Sequence, residues 1–154
     1  MLPRMILLMK KESKVILVLV GVDVKLDNGR VLTFYTTHLS YSHKFEETHE
    51  RLEEFENLFD VLKTKKSDFV FYGDLNLSST SKGVKKLSKI FNNAGPSFEK
   101  KTWTTKPFSY NHFVEKYLNW RLDYVFASKD IKIINSEILK TEYSDHLPIQ
   151  VIIR

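Results

Sequence analysis

Four short groups of polar residues in this chain are of the kinds that hold phosphate and move protons: Thr36-Thr37-His38-Leu39, Gly73-Asp74-Leu75-Asn76, Arg121-Leu122-Asp123-Tyr124 and Ser144-Asp145-His146-Leu147-Pro148. Asp74 and Asn76 stand two residues apart, so in an extended segment both side chains face one side while Leu75 turns into the packing. A carboxylate there can take a proton from water or bind a metal ion, and a carboxamide can donate to a phosphate oxygen. A plain turn after a strand accounts for the same residues, because Gly, Asp and Asn all favour turns. Pro148 restricts Leu147 to an extended conformation and so helps fix where His146 points. To act as acid, base or donor, that histidine needs a carboxylate that selects its tautomer, and Asp123, within the largely apolar stretch from Trp120 to Ser128, is the candidate. Pairing of Asp123 with the neighbouring Arg121 is the competing explanation. His38 closes an apolar stretch, where a satisfied strand-end histidine and a catalytic one look alike. His43, His49 and His112 have no comparable neighbours.

The elements that must position these groups follow from periodicity. Val15 to Lys25 and Arg30 to Leu39 are β-rich stretches separated by Asp27-Asn28-Gly29, whose Asn-Gly step favours a tight hairpin turn. Phe45, Leu52, Phe55, Phe59 and Leu62 recur at helical spacing, which predicts a helix from about Lys44 to Lys63 with Ser42 or His43 near its start. Its glutamates read as a solvated face. Asp68 to Tyr72 is a short strand ended by Gly73, and strand, long helix, strand implies a parallel crossover. Ser79-Thr80-Ser81 offers caps for a second helix over Lys82 to Phe91, followed by a loop rich in aromatic and polar residues. Trp120 to Ser128, Ile131 to Leu139 and Leu147 to Ile153 predict three more strands, the first two joined by a tight turn at Lys129-Asp130. The class is α/β or α+β. Each polar group lies at a strand end, where open α/β sheets place their ligands.

Composition narrows the chemistry further. At 154 residues the chain suits one domain. With no cysteine there is neither a disulfide framework nor a thiolate zinc site, so a metal would rest on Asp, Glu, Asn or His. A net charge of +5 favours polyanionic partners, although scattered lysines also serve solubility alone. Met5 to Met9 is too short and too closely followed by Lys10, Lys11 and Glu12 to span a membrane or serve as a signal peptide, which leaves a cytoplasmic chain as the default expectation.

Taken together, Thr37-His38-Leu39, Gly73-Asp74-Leu75-Asn76, Thr102-Trp103, Arg121-Leu122-Asp123-Tyr124-Val125-Phe126 and Ser144-Asp145-His146-Leu147-Pro148-Ile149 resemble, in order, the motifs of the endonuclease/exonuclease/phosphatase superfamily with the DNase I-like fold. The resemblance spans roughly Val15 to Arg154. It implies an α+β chain, a partial DNase I-like sandwich of mixed β-sheets with flanking helices. It also implies a phosphodiesterase or phosphatase using Mg²⁺ or Mn²⁺, nuclease-like in the first instance. Carried over, Asp74 would orient or deprotonate the attacking water, Asn76 would position water and phosphate, and His146 would contact the scissile phosphate. Asp123 would orient His146, and His38 would stabilise charge on the phosphoryl oxygens. Asp145, together with Asp74 and Asn76, would support the metal. Family members begin with a strand bearing an Asn and a strand ending in a Gln-Glu pair, whose Glu is the principal magnesium ligand. The 14 residues before Val15 contain no Asn, Gln or Asp. The expectation is therefore a single domain over 1–154, truncated at its N-terminal side relative to the family, with a second polypeptide or a second copy covering what is missing. The alternative is a catalytically impaired relative that acts as a nucleic-acid or phospholipid binding or interaction module.

Overall fold

The computed structural model describes residues 18–154 in full and Met5–Leu8 as backbone. Val15 to Leu17, the start of the first predicted hairpin strand, and Lys10 to Glu12 lie outside the described residues. Strands β1 (Met5–Leu8), β2 (Leu19–Lys25), β3 (Val31–His38), β4 (Phe69–Asp74), β5 (Asn92–Asn93) and β8 (Asp123–Ala127) form one mixed sheet in the order β1-β2-β3-β4-β8-β5. Helices α1 (His49–Lys63) and α2 (Lys82–Ile90) accompany it, and β6 (Phe108–Tyr110) pairs with β7 (Phe113–Glu115) in a separate hairpin. Strands β9 (Ile133–Ile138) and β10 (Ile149–Ile153) make a third, antiparallel pair. The class is α+β.

The β2–β3 hairpin turns where the Asn-Gly step predicts, with Gly29 at φ 83° and the Asn28 side chain accepting from the Arg30 N–H. From β3 the chain crosses through α1 and returns as β4, parallel to β3. Alternation along the strands then assigns the faces. Tyr35, Phe69, Phe71, Tyr124 and Phe126 belong to a core with Phe55, Leu58 and Leu62 of α1 and Val84 and Leu87 of α2. The intervening residues Leu32, Val70, Val125 and Ala127 face the other way, toward Ile149, Val151 and Ile153 of β10. Each fully buried Phe or Leu in these layers contributes about 1.5–3 kcal/mol.

Gly73 lies within β4 and does not end it. A Cβ on Gly73 would sit 2.2 Å from the Thr37 carbonyl oxygen, so β3 and β4 can approach here only because the residue is glycine. Gly73→Ala is expected to cost about 2–3 kcal/mol, read from urea unfolding, because the β3–β4 ladder must part at the residues that carry the site.

Two further expectations change on meeting the structure. The helix begins at His49 and not near Lys44, because Lys44 and Phe45 adopt φ 52° and 58° and Thr48 caps the helix by accepting from the Arg51 N–H. Its glutamates are not all solvated: Glu54 is buried, paired with buried Arg51, and accepts the Ser40 N–H at 3.1 Å. The expected tight turn at Lys129-Asp130 is present, closed by the Ile131 N–H donating to the Ser128 carbonyl at 3.2 Å, and the strands it joins pair elsewhere, β8 with β4 and β5 and β9 with β10.

Candidate active site

Three of the expected residues are neighbours in the β-ladder. His38 pairs with Asp74 between β3 and β4, and Asp74 pairs with Asp123 between β4 and β8. By strand parity all three lie on the face turned toward β10, at the end of the sheet where β3 and β4 finish and β8 begins. His146 arrives from the segment before β10. Its Nδ1 stands 2.8 Å from Asp123 Oδ2 and its Nε2 stands 3.9 Å from Asp74 Oδ2. The Asp123 carboxylate therefore sets the tautomer and ring direction of His146, as the sequence led one to expect, while Arg121 goes elsewhere. Its guanidinium is buried and donates to the backbone carbonyls of Asp123, Ser97, Lys100 and Pro96.

Asn76 and His38 complete the group. The Asp74 Oδ1 accepts the Asn76 N–H at 2.8 Å, so the turn that competed with the catalytic reading is present and also holds Asn76 in place. Asn76 takes φ 47°, a left-handed conformation that Asn tolerates and that functional sites often impose. Its Nδ2 donates to the Leu39 carbonyl at 2.8 Å and lies 3.2 Å from His38 Nε2. His38 Nε2 is also 3.2 Å from Asp74 Oδ2, with the His38 side chain 71% exposed to an incoming ligand.

Asp145 is placed differently from its neighbours, since its Oδ2 accepts the Trp103 indole N–H at 3.1 Å. The side-chain donors that converge are instead those of Asp74, Asp123 and His146, whose ligand atoms lie within 4.8 Å of one another. Of these, the two carboxylates offer the oxygen ligands that suit a divalent cation keeping part of its water shell, while the imidazole is engaged by Asp123. The electrostatics fit it too: burial, and then the charge of Asp123, raise the Asp74 carboxyl above its ordinary range, and a cation would relieve both. Burial alone would lower His146, but its hydrogen bond to Asp123 and the charges of Asp123, Asp74 and Asp145 outweigh burial and raise it. A raised histidine pKa gives stability that is complete below the unfolded value of 6.5 and is lost as pH climbs through the folded value. Unfolding measured across that window is expected to show stability falling with pH in the parent and a flatter profile in His146→Ala.

Residues without an assigned role in the sequence hold this group together. Thr102, fully buried, accepts the N–H groups of Leu122 and Asp123 with its hydroxyl and the Leu147 N–H with its carbonyl, tying the start of β8 to the His146 segment. Arg51 donates to the Leu75 carbonyl while its partner Glu54 accepts the Ser40 N–H, so one buried ion pair clamps the loops after His38 and Asp74. The opposite charges three apart on one helix were the available signal. His38, Asp74, Asp123 and His146 line one part of a largely apolar cleft of about 820 Å³ between the sheet and β10, which continues along Val125 and Val151.

Among solved structures the chain is similar to a mannosyl-6-phosphatase from Bacteroides thetaiotaomicron, with a TM-score of 0.68 and 17% identity over 94% of this chain and 59% of that one. It is similar to the human Nocturnin catalytic domain with bound sulfate, TM-score 0.64 and 18% identity over 99% of this chain and 59% of that one. It is also similar to D. rerio TDP2 complexed with a single-strand DNA product, TM-score 0.70 and 19% identity over 100% of this chain and 67% of that one. At these identities the likeness establishes the fold. The chain spans about 59% of the length of the first of these relatives. Comparison with curated proteins gives no match. A family model matches residues 10–146, from ahead of the β2–β3 hairpin through His146, and by that match the chain belongs to the Endonuclease/Exonuclease/phosphatase family.

Proposed function

We propose that this chain carries the phosphate-handling part of a divalent-metal-dependent phosphoesterase, nuclease-like in substrate. The carrying observation is the convergence of His38, Asp74 and Asp123 on adjacent strands, with His146 held 2.8 Å from Asp123. Asp74 orients the attacking water or accepts its proton, and Asn76 positions that water and the phosphate. His146, whose pKa its hydrogen bond to Asp123 and the neighbouring carboxylates raise, donates to a phosphoryl or leaving oxygen, with Asp123 as its positioning residue. His38 adds a donor at the exposed rim. When bound by Asp74 and Asp123, Mg²⁺ or Mn²⁺ supplies the charge that stabilises the phosphoryl oxygens in the transition state. Asp145 acts from outside, orienting that ensemble through the Trp103 indole.

Nucleic acid is the favoured substrate class, in keeping with the net charge of +5. The apolar cleft beside β10 supports a further polypeptide segment or a second copy packing there. Among the described residues no helix is long and apolar enough to cross a membrane. The test is hydrolysis of plasmid DNA, RNA and an artificial phosphodiester with Mg²⁺ or Mn²⁺, repeated with chelator and with Asp74→Ala and His146→Ala. Cleavage that needs the metal and both residues is expected. Parent rates no higher than those of the variants overturn the reading, and metal-independent retention of DNA without cleavage favours the binding-module alternative.

A further inference from the structure

A second cavity, of about 370 Å³, opens on the other side of the same residues. One wall is the candidate machinery: His38, Asp74, Asn76 and His146. Most of the remaining lining is aromatic: Tyr41, Phe45, Trp103, Phe108 and Tyr110. Tyr41 meets Phe45, Phe108 and Tyr110 edge-to-face, at centroid distances of 5.6, 6.4 and 5.9 Å, so the rings form corners and not a closed stack.

The hairpin that carries Phe108 and Tyr110 is held firmly. Asn111 and His112 take φ 44° and 64°, the pair of left-handed residues that a two-residue type I′ turn needs. At its foot the Glu115 carboxylate accepts from the Trp120 indole, the Asn119 amide and the backbone N–H groups of Lys116 and Tyr117. Burial would raise the Glu115 carboxyl, but these bonds outweigh it and hold it below its usual range. Yet Tyr110, at the hairpin tip, is 53% exposed and lines the cavity. A rigid hairpin therefore presents unsatisfied ring surface beside a phosphate site.

The chemistry of that lining selects its occupant. The cavity is larger than a phosphate group needs and falls at the low end of the size range of sites for small organic ligands. A sugar ring, with a hydroxyl on most carbons, would require carboxylates or amides around it. Away from His38, Asp74, Asn76 and His146, the polar groups of this lining are Ser109, the tyrosine hydroxyls and the Asp145 carboxylate, whose Oδ2 already accepts the Trp103 indole N–H. A planar ring system is satisfied by stacking on aromatic faces with few hydrogen bonds, which is how single-stranded bases are held.

We propose that this cavity is the subsite for a nucleobase joined through its sugar to the phosphate held by Asp74, Asn76 and His146, with Tyr41 and Tyr110 as specificity-determining walls. The proposal rests on the phosphoesterase reading and narrows its substrate to nucleotides with an unpaired base.

Trp103 lines the cavity, so binding can be followed by tryptophan fluorescence under chelator, independently of hydrolysis. The probes are a nucleoside 5′-monophosphate, the parent nucleoside, ribose 5-phosphate, mannose 6-phosphate and inorganic phosphate. The monophosphate is expected to bind roughly ten- to a hundredfold tighter than ribose 5-phosphate, the factor attributable to one stacked base. Tyr110→Ala, an exposed position that should leave folding intact, is expected to close most of that gap, and Tyr41→Phe to preserve it. Equal affinity for the monophosphate and ribose 5-phosphate overturns the proposal, and tighter binding of mannose 6-phosphate overturns it in favour of a sugar subsite. Quenching by the nucleoside alone, lost in Tyr110→Ala, supports the base subsite even where no phosphate-containing probe without a base binds and no hydrolysis is found, the outcome in which only the phosphoesterase reading fails.

Discussion

Asp74→Asn is expected to lower phosphodiester hydrolysis by roughly a thousandfold while raising the melting temperature. Both effects come from one cause. Burial first, and the negative charge of Asp123 second, raise the Asp74 carboxyl in the folded chain. A carboxyl raised on folding gives stability that is present below its unfolded pKa and is lost as pH rises through the folded value. Above its unfolded pKa Asp74 therefore works against the fold, and asparagine removes the titrating charge while keeping an oxygen for the Asn76 N–H. A gain of about 1 kcal/mol would move the midpoint by about 2–4 °C in a chain of this size. Added Mn²⁺ should stabilise the parent by mass action and leave Asp74→Asn nearly unmoved. A variant that loses stability and hydrolysis together would mark Asp74 as structural.

Glu54→Ala should produce the largest loss of stability. Arg51 and Glu54 are each about 3% exposed, and removing the carboxylate strands a buried guanidinium whose Nε already lacks a partner. Breaking such a pair costs about 3–5 kcal/mol, whereas replacing both members with apolar residues is often neutral. Chemical unfolding should therefore show a severe defect in Glu54→Ala and substantial recovery in Arg51→Met/Glu54→Leu. The site should feel the same change, because Glu54 accepts the Ser40 N–H beyond His38 and Arg51 donates to the Leu75 carbonyl beyond Asp74. Recovery of stability without recovery of hydrolysis would show that the clamp positions the two loops as well as supporting the core.

The convergence of the candidate site was more legible in the sequence than the scaffold around it. His38, Asp74 and Asp123 were legible because strand ends and two-residue alternation are local signals, and the Asn-Gly hairpin and the parallel crossover followed from equally local rules. What failed depended on distant contacts. The heptad-like spacing from Phe45 extended the helix too far, since Phe45 is buried against Trp103 and Trp120 in a left-handed conformation. Amphipathicity placed Glu54 in solvent because its buried partner compensates the charge. The β6–β7 hairpin read as loop, for its turn is Asn111-His112 without the usual glycine. The bond between Asp145 and the Trp103 indole joins residues 42 apart in sequence, with no local signal at either end.

The central claim is that Asp123 and His146 act as one unit in phosphoester hydrolysis, and a double-mutant cycle on the rate of an artificial phosphodiester with Mn²⁺ tests it most directly. His146→Ala is expected to lose roughly a thousandfold, Asp123→Ala somewhat less, and the double variant no more than His146→Ala alone, because a positioning carboxylate has nothing to do once its histidine is gone. A double variant that loses the product of the two single losses, or a parent no faster than any of the three, would contradict the account.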